Sequence, residues 1–181
     1  SAPTADAEVV LRAAERFRAR LRVCRTIIAT STALAHGIFA ITGGLGGLGL
    51  RAAAMLIEGG ASGLLLASRR RRMVRDGQGL EAQLHTIAAP TAVLVCDSAD
   101  THDTGTLFCT ANRLAGVLHA AGAGDKGLLI ELDARRLQWL HASKAMGARY
   151  LQCAAASTSL LETRVLFSSV GSGLGNVGQA N

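Results

Sequence analysis

From residue 37 onward, short apolar runs alternate with longer stretches whose apolar residues recur at helical spacing. Strands are predicted over 37–42 (GIFAIT), 62–68 (SGLLLAS), 91–96 (TAVLVC), 115–120 (AGVLHA) and 164–168 (RVLFS). Helices are predicted over 48–58, 79–88, 104–113 and 134–156, the last being the longest. The strands are nearly continuous apolar runs, which suits a parallel sheet covered on both faces. Right-handed crossovers then give an α/β, doubly wound sheet of strand order 3-2-1-4-5.

Ahead of this region, 7–22 carries Val10, Ala13, Ala14, Phe17 and Leu21 with arginines between them. That is helical spacing with a charged outer face, and a helix is predicted. Residues 26–36 form a connector with no assigned element. No charged side chain occurs between Arg25 and Arg51, a length that would suit a membrane span. Six glycines in that stretch would leave such a helix poorly formed, so no membrane association is expected.

A chain of 181 residues that is 49% hydrophobic can bury one core, and 21 glycines let helices lie close to a sheet. Cys24, Cys96, Cys109 and Cys153 are scattered, with no CxxC pair and no metal-ligand set alongside the histidines. No disulfide framework or metal is therefore expected, and the setting that suits these thiols is the cytoplasm. Residues 1–75 hold twelve arginines against four acids, while the remainder holds seven basic residues against nine acids. A basic half can serve nucleic acid, a membrane surface or a phosphorylated cofactor. One Trp, one Tyr and four Phe offer little surface for stacking bases, so nucleic acid is not the expected partner.

The first strand runs into Thr42-Gly43-Gly44-Leu45-Gly46-Gly47-Leu48-Gly49, which opens a helix. Gly43 permits a tight turn, the middle glycines let backbone approach a pyrophosphate, and Gly49 lets helix and strand pack closely. The helix N-terminus adds unpaired N–H groups for the phosphates. A purely structural glycine-rich turn is the alternative.

The second strand ends in Ser68-Arg69-Arg70-Arg71-Arg72, where a reader of the ribose 2′-hydroxyl would carry an acid. Guanidinium groups match a 2′-phosphate, which argues for NADPH. A solvated basic loop remains open, above all for Arg71 and Arg72. Asp97, just past the third strand, is placed to accept from an adenine amino group or to cap its own loop.

Taken together, the strings GIFAITGGLGGLGL, LLLASRR, CDSAD, GVLHAAG, KAMGARYL and VLFSSVGSGLGNVGQAN resemble the ketoreductase domain of a modular polyketide synthase, within the short-chain dehydrogenase/reductase superfamily. The resemblance covers 37–181 and implies a Rossmann-like fold, incomplete for want of its last strands. Residues 1–36 resemble the tail of the family's structural subdomain, or a linker. The implied reaction is NADPH-dependent reduction of a β-ketoacyl thioester on an acyl carrier protein to the β-hydroxyacyl thioester, with other synthase domains in the same polypeptide. Two alternatives stand beside it: the ketoreductase of a multifunctional fatty acid synthase, and a non-catalytic nucleotide-binding scaffold.

Carried over residue by residue, the resemblance makes Ser169 the catalytic serine and Lys144 the catalytic lysine, with Ser168 the neighbouring alternative to Ser169. It adds Ala120, Ala121 and Gly122 to the cofactor-binding residues. The family continues the last string with a tyrosine and, four residues later, an asparagine; Tyr150 matches no catalytic position. The loop Ala123-Gly124-Asp125-Lys126 departs from one subfamily's Leu-Asp-Asp marker, and Leu174 stands where the other subfamily places a tryptophan.

Overall fold

The computed structural model describes residues 10–13, 15–17, 35–70, 72, 79–111, 113–124, 129–158, 161–169 and 171. The basic N-terminal segment departs from its predicted helix. Strands β1 (Val10–Arg12) and β2 (Glu15–Phe17) pair antiparallel, with Val10 opposite Phe17. Ala13 takes a positive φ of 44° at the turn. The alanines and arginines of this stretch favour helix by intrinsic propensity, and the observed backbone pairing overrides that preference. The connector over 26–34 lies outside the described residues.

The main sheet has five parallel strands: β3 (Ile38–Thr42), β4 (Gly63–Ser68), β5 (Thr91–Val95), β6 (Leu114–His119) and β7 (Thr163–Leu166). Their spatial order is β5-β4-β3-β6-β7, the doubly wound order expected from the alternation. Helices α1 (Gly47–Glu58), α2 (Leu80–His85) and α3 (Thr101–Thr110) fill the first three crossovers. Asp100 starts α3 three residues earlier than predicted, because its carboxylate accepts from the N–H groups of His102 and Asp103 at 2.8 and 2.9 Å.

Side chains alternate across the sheet into two cores. On one face Phe39, Ile41, Leu64 and Leu66 pack with Leu50 and Ala53 of α1. On the other, Ala40, Leu65, Ala67 and Val117 pack with Leu107 and Phe108 of α3 and with Leu151 and Ala155. Fully burying a leucine such as Leu66 contributes about 1.5–3 kcal/mol relative to leaving it in water. A register shift on β6 places Ala115 and Gly116 toward the same face, and a Cβ on Gly116 would stand 2.6 Å from the Phe39 ring.

The longest predicted helix forms but is interrupted. Helix α4 (Ala134–His141) passes through a π-helical turn at Ala142–Met146 into α5 (Gly147–Thr158). None of the helices among the described residues is long and apolar enough to cross a membrane.

Candidate functional site

In a doubly wound sheet the crevice lies where strand order reverses, beyond the carboxyl ends of the strands. Here that point is between β3 and β6, where the Ala120 N–H donates to the Thr42 carbonyl at 3.0 Å. A cleft of ≈ 460 Å³ opens there. Thr42, Gly43, Ser68, Arg69, Arg70, Ala121 and Gly122 line it, so seven residues singled out in the sequence converge on one hollow. Arg72 lines it as well, whereas Arg71 lies outside the described residues.

The glycines divide into two kinds. Gly43 has φ +67° and a Cβ there would stand 2.7 Å from the Ala120 carbonyl oxygen. A Cβ on Gly44 would meet the Leu66 backbone at 2.9 Å, and one on Gly49 would run into the Gly43 carbonyl. These three are required by packing, as is Leu45, which is buried in the first core. Gly46 and Gly47 are different. A Cβ on Gly46 would have only the Gly43 oxygen near it, at 3.2 Å, and one on Gly47 would make ordinary contact at 3.8 Å. Gly46 is thus tight but less constrained than the first three, and at Gly47 a side chain would matter chiefly to something approaching from outside.

Gly46 is also the N-cap of α1, with no side-chain cap and no acid in the first turn. The first-turn N–H groups thus have no side-chain cap, as an anion bound at this end would require. A pyrophosphate fits this cradle.

Asp97 takes the capping geometry: its carboxylate accepts from the Ala99 N–H at 3.0 Å, and its own N–H donates to Asp103 at 2.9 Å. Its neighbours Cys96 and Ser98 line the cleft. Burial and the carboxylates of Asp103, Asp97 and Asp100 push the Cys96 thiol up to about 11.

Lys144 sits within the π turn, and its stem runs beside Gly122: a Cβ there would lie 3.4 Å from Lys144 Cε. Ser169 lies on the exposed segment that leaves β7, and its Oγ accepts from the Gly171 N–H at 3.1 Å. That segment is tied to β6, because the Phe167 N–H donates to the His119 carbonyl at 3.2 Å. Asp125, Lys126 and Leu174 lie outside the described residues.

Four buried polar residues escaped the sequence reading: Ser98, Thr104, His119 and Ser143. His119 Nε2 lies 3.2 Å from the Lys144 carbonyl, so it carries the proton, and Nδ1 accepts from the Thr42 hydroxyl at 2.6 Å. Burial lowers the pKa of His119, partly offset by the carbonyls of Lys144 and Ser143. Ser143 Oγ accepts from the Ala123 N–H at 3.1 Å. The available signal was His119 itself, a polar residue closing a strand otherwise buried, where a partner is obligatory.

The KR domain family model matches residues 37–181. Polyketide synthase GfsB of Streptomyces halstedii is 36% identical over 148 residues, which is 80% of this chain and 3% of that protein. A 6-methylsalicylic acid synthase of Arthrobotrys oligospora is 35% identical over 168 residues, 84% of this chain and 9% of that one. Among solved structures, an A-type ketoreductase from a modular polyketide synthase superposes with a TM-score of 0.76 at 30% identity, covering 94% of this chain and 37% of that chain. The ketoreductase from the first module of phoslactomycin biosynthesis in Streptomyces sp. HK803 gives 0.79 at 28% identity, covering 97% and 41%. The chain thus spans a small part of the synthases and about two-fifths of the ketoreductase structures. With the glycine turn, the arginines after β4, Lys144 and Ser169 all inside the matched region, the chain belongs to the KR domain family, the ketoreductases of polyketide synthases, which bind a nicotinamide cofactor.

Proposed function

We propose that this chain forms the NADPH-binding part of a β-ketoacyl reductase acting on an acyl carrier protein-bound thioester within a polyketide synthase. The observation that carries the reading is the convergence of Arg69 and Arg70 with the glycine turn on one cleft. An acid at the end of β4 would repel a 2′-phosphate, and two guanidinium groups there favour it. The synthase relatives support a multidomain parent, in which residues 1–36 would belong to the structural subdomain or a linker.

In this reading the α1 N-terminus at the glycine turn would bind the pyrophosphate, Arg69 and Arg70 would hold the 2′-phosphate, and Asp97, whose carboxylate also caps its own loop, would accept from the adenine amino group. Ala120, Ala121 and Gly122 would contribute to the cofactor-binding wall, the last two from the lining of the cleft. When bound, the cofactor would supply the hydride to the carbonyl carbon, and the tyrosine that the family carries after this last string would supply the proton that converts the alkoxide to the alcohol. Ser169 donates a hydrogen bond to the carbonyl oxygen as negative charge develops there, and Lys144 holds the ribose side of the proton relay. Oriented donor and polarised acceptor account for the barrier lowering without covalent chemistry.

The test is a titration of the full-length protein with both nicotinamide nucleotides. NADPH should bind more tightly than NADH, and Arg69→Ala should weaken NADPH by about ten- to a hundred-fold while leaving NADH unchanged. Equal affinity for the two nucleotides in the parent protein overturns the assignment.

A further inference from the structure

The catalytic role implied for Lys144 requires its amine to keep a fixed position against the cofactor, yet the lysine sits in a π turn on a long helix. A π turn shifts carbonyls out of α register and often marks a functional position. Here the Gly147 N–H reaches back to the Ala142 carbonyl, closing the wide turn. The Lys144 carbonyl is the one that His119 Nε2 meets at 3.2 Å.

The other nitrogen of the same ring is held by the Thr42 hydroxyl at 2.6 Å. Thr42 ends β3 and immediately precedes the glycine turn. Both Thr42 and His119 are buried, at 2% and 5% exposure, so their polar groups need partners within the fold. Gly147 packs close against the ring, since a Cβ there would stand 3.0 Å from His119 Cε1 and 2.9 Å from Ser98 Oγ. Flipping the imidazole would set two mismatched groups face to face on each side. Two hydrogen bonds therefore connect the cofactor turn to the backbone of Lys144, independently of the helix that carries the lysine.

We propose that His119 is a positioning residue, holding the π turn of Lys144 in register with the Thr42 end of the glycine turn so that the lysine amine and the bound nucleotide keep one geometry. The inference rests on the reading of the cleft as an NADPH site. A core-filling role alone would make His119 matter to stability and leave the amine's geometry unaffected.

The experiment uses the full-length protein and the variants His119→Leu, His119→Gln, Thr42→Val and the double variant Thr42→Val/His119→Leu. Three quantities are read: the NADPH dissociation constant, kcat and KM with a simple β-ketoacyl thioester, and the rate at which Lys144 is reductively methylated with and without NADPH. His119→Leu should lower kcat by about tenfold or more with KM changed less than about twofold, because small misplacements of reacting groups are costly. It should also abolish the protection of Lys144 that NADPH confers on the parent.

His119→Gln, whose amide can accept from Thr42 and donate to Lys144, should restore most of both. Thr42→Val should act in the same direction, and the double variant should lose no more than the worse single one, since both cut one chain of bonds. If His119→Leu does not fold, the near-isosteric Thr42→Val decides by the same kcat and labelling readouts. Normal kcat with normal protection of Lys144 in whichever variant decides overturns the inference, as does full additivity in the double variant. Failure of the parent to bind NADPH overturns the cofactor reading, and this inference with it.

Discussion

Gly43 and Ala120 meet across the crevice between β3 and β6: a Cβ on Gly43 would stand 2.7 Å from the Ala120 carbonyl oxygen. Gly43 also has φ +67°, a conformation that costs an L-residue about 1–2 kcal/mol by itself. Gly43→Ala should therefore lower unfolding free energy by more than about 1–2 kcal/mol, since backbone must also shift. Gly47→Ala should leave stability unchanged or raise it by about 0.5–1 kcal/mol, because alanine suits a helix and the site has room. Urea midpoints of the two variants measure the contrast. Equal losses would mean that the motif's glycines all serve packing.

Gly46→Val separates binding from folding. A Cβ at Gly46 would stand 3.2 Å from the Gly43 carbonyl oxygen, a tight contact, so the fold should lose some stability but less than at Gly43 or Gly44, where backbone lies within 2.8 Å. A branched side chain would, however, fill the space at the α1 N-terminus that a pyrophosphate needs. The parent protein's Tm should rise with NADPH and the variant's should not. Undiminished stabilisation of the variant by NADPH would make this turn purely structural.

The sheet order was legible because β3, β4 and β6 are almost unbroken apolar runs, with helical spacing in the stretches that link β3 to β4, β4 to β5 and β5 to β6. The cleft was legible for a related reason: Gly43 and the arginines after Ser68 mark the carboxyl ends of two adjacent strands. The N-terminal hairpin was not. Val10, Ala13, Ala14 and Phe17 fit a helical face, and the spacing carries no sign of the antiparallel register that pairs 10–12 with 15–17. The π turn was hidden as well, because side-chain spacing over 134–156 reports a helical period and says little about one widened turn. Its partner His119 lies 25 residues away from Lys144 in sequence, and no local pattern joins them.

Cys96 should be the unreactive thiol among the three described cysteines. It is buried, with its pKa raised to about 11 by burial and by neighbouring carboxylates, whereas Cys109 and Cys153 are exposed. The thiolate is the nucleophile, so at about pH 8 the Cys96 peptide should stay unmodified while Cys109 and Cys153 are labelled. Peptide mapping after a short exposure to iodoacetamide reads this directly. Labelling of Cys96 at the rate of Cys109 would contradict its burial.

Acid should weaken the fold through His119, and the sign follows from its surroundings. Burial lowers the pKa of the ring, with the carbonyls of Lys144 and Ser143 acting in the opposite direction. In the unfolded chain the imidazole titrates near its ordinary value of about 6.5. Below that pH the unfolded state takes up a proton that the folded state resists. The stabilisation is thus fully present above about pH 6.5 and is lost as pH falls toward the lowered, folded value. Protonation of Nδ1 would also destroy the acceptor that holds the Thr42 hydroxyl at 2.6 Å. His119→Gln keeps a donor and an acceptor but does not titrate. Its stability deficit relative to the parent should accordingly be largest near about pH 7.5 and shrink steadily toward about pH 5. Urea unfolding of both proteins across that window measures the difference, and a gap that stays constant or widens on acidification would show that His119 is not held as a buried neutral imidazole.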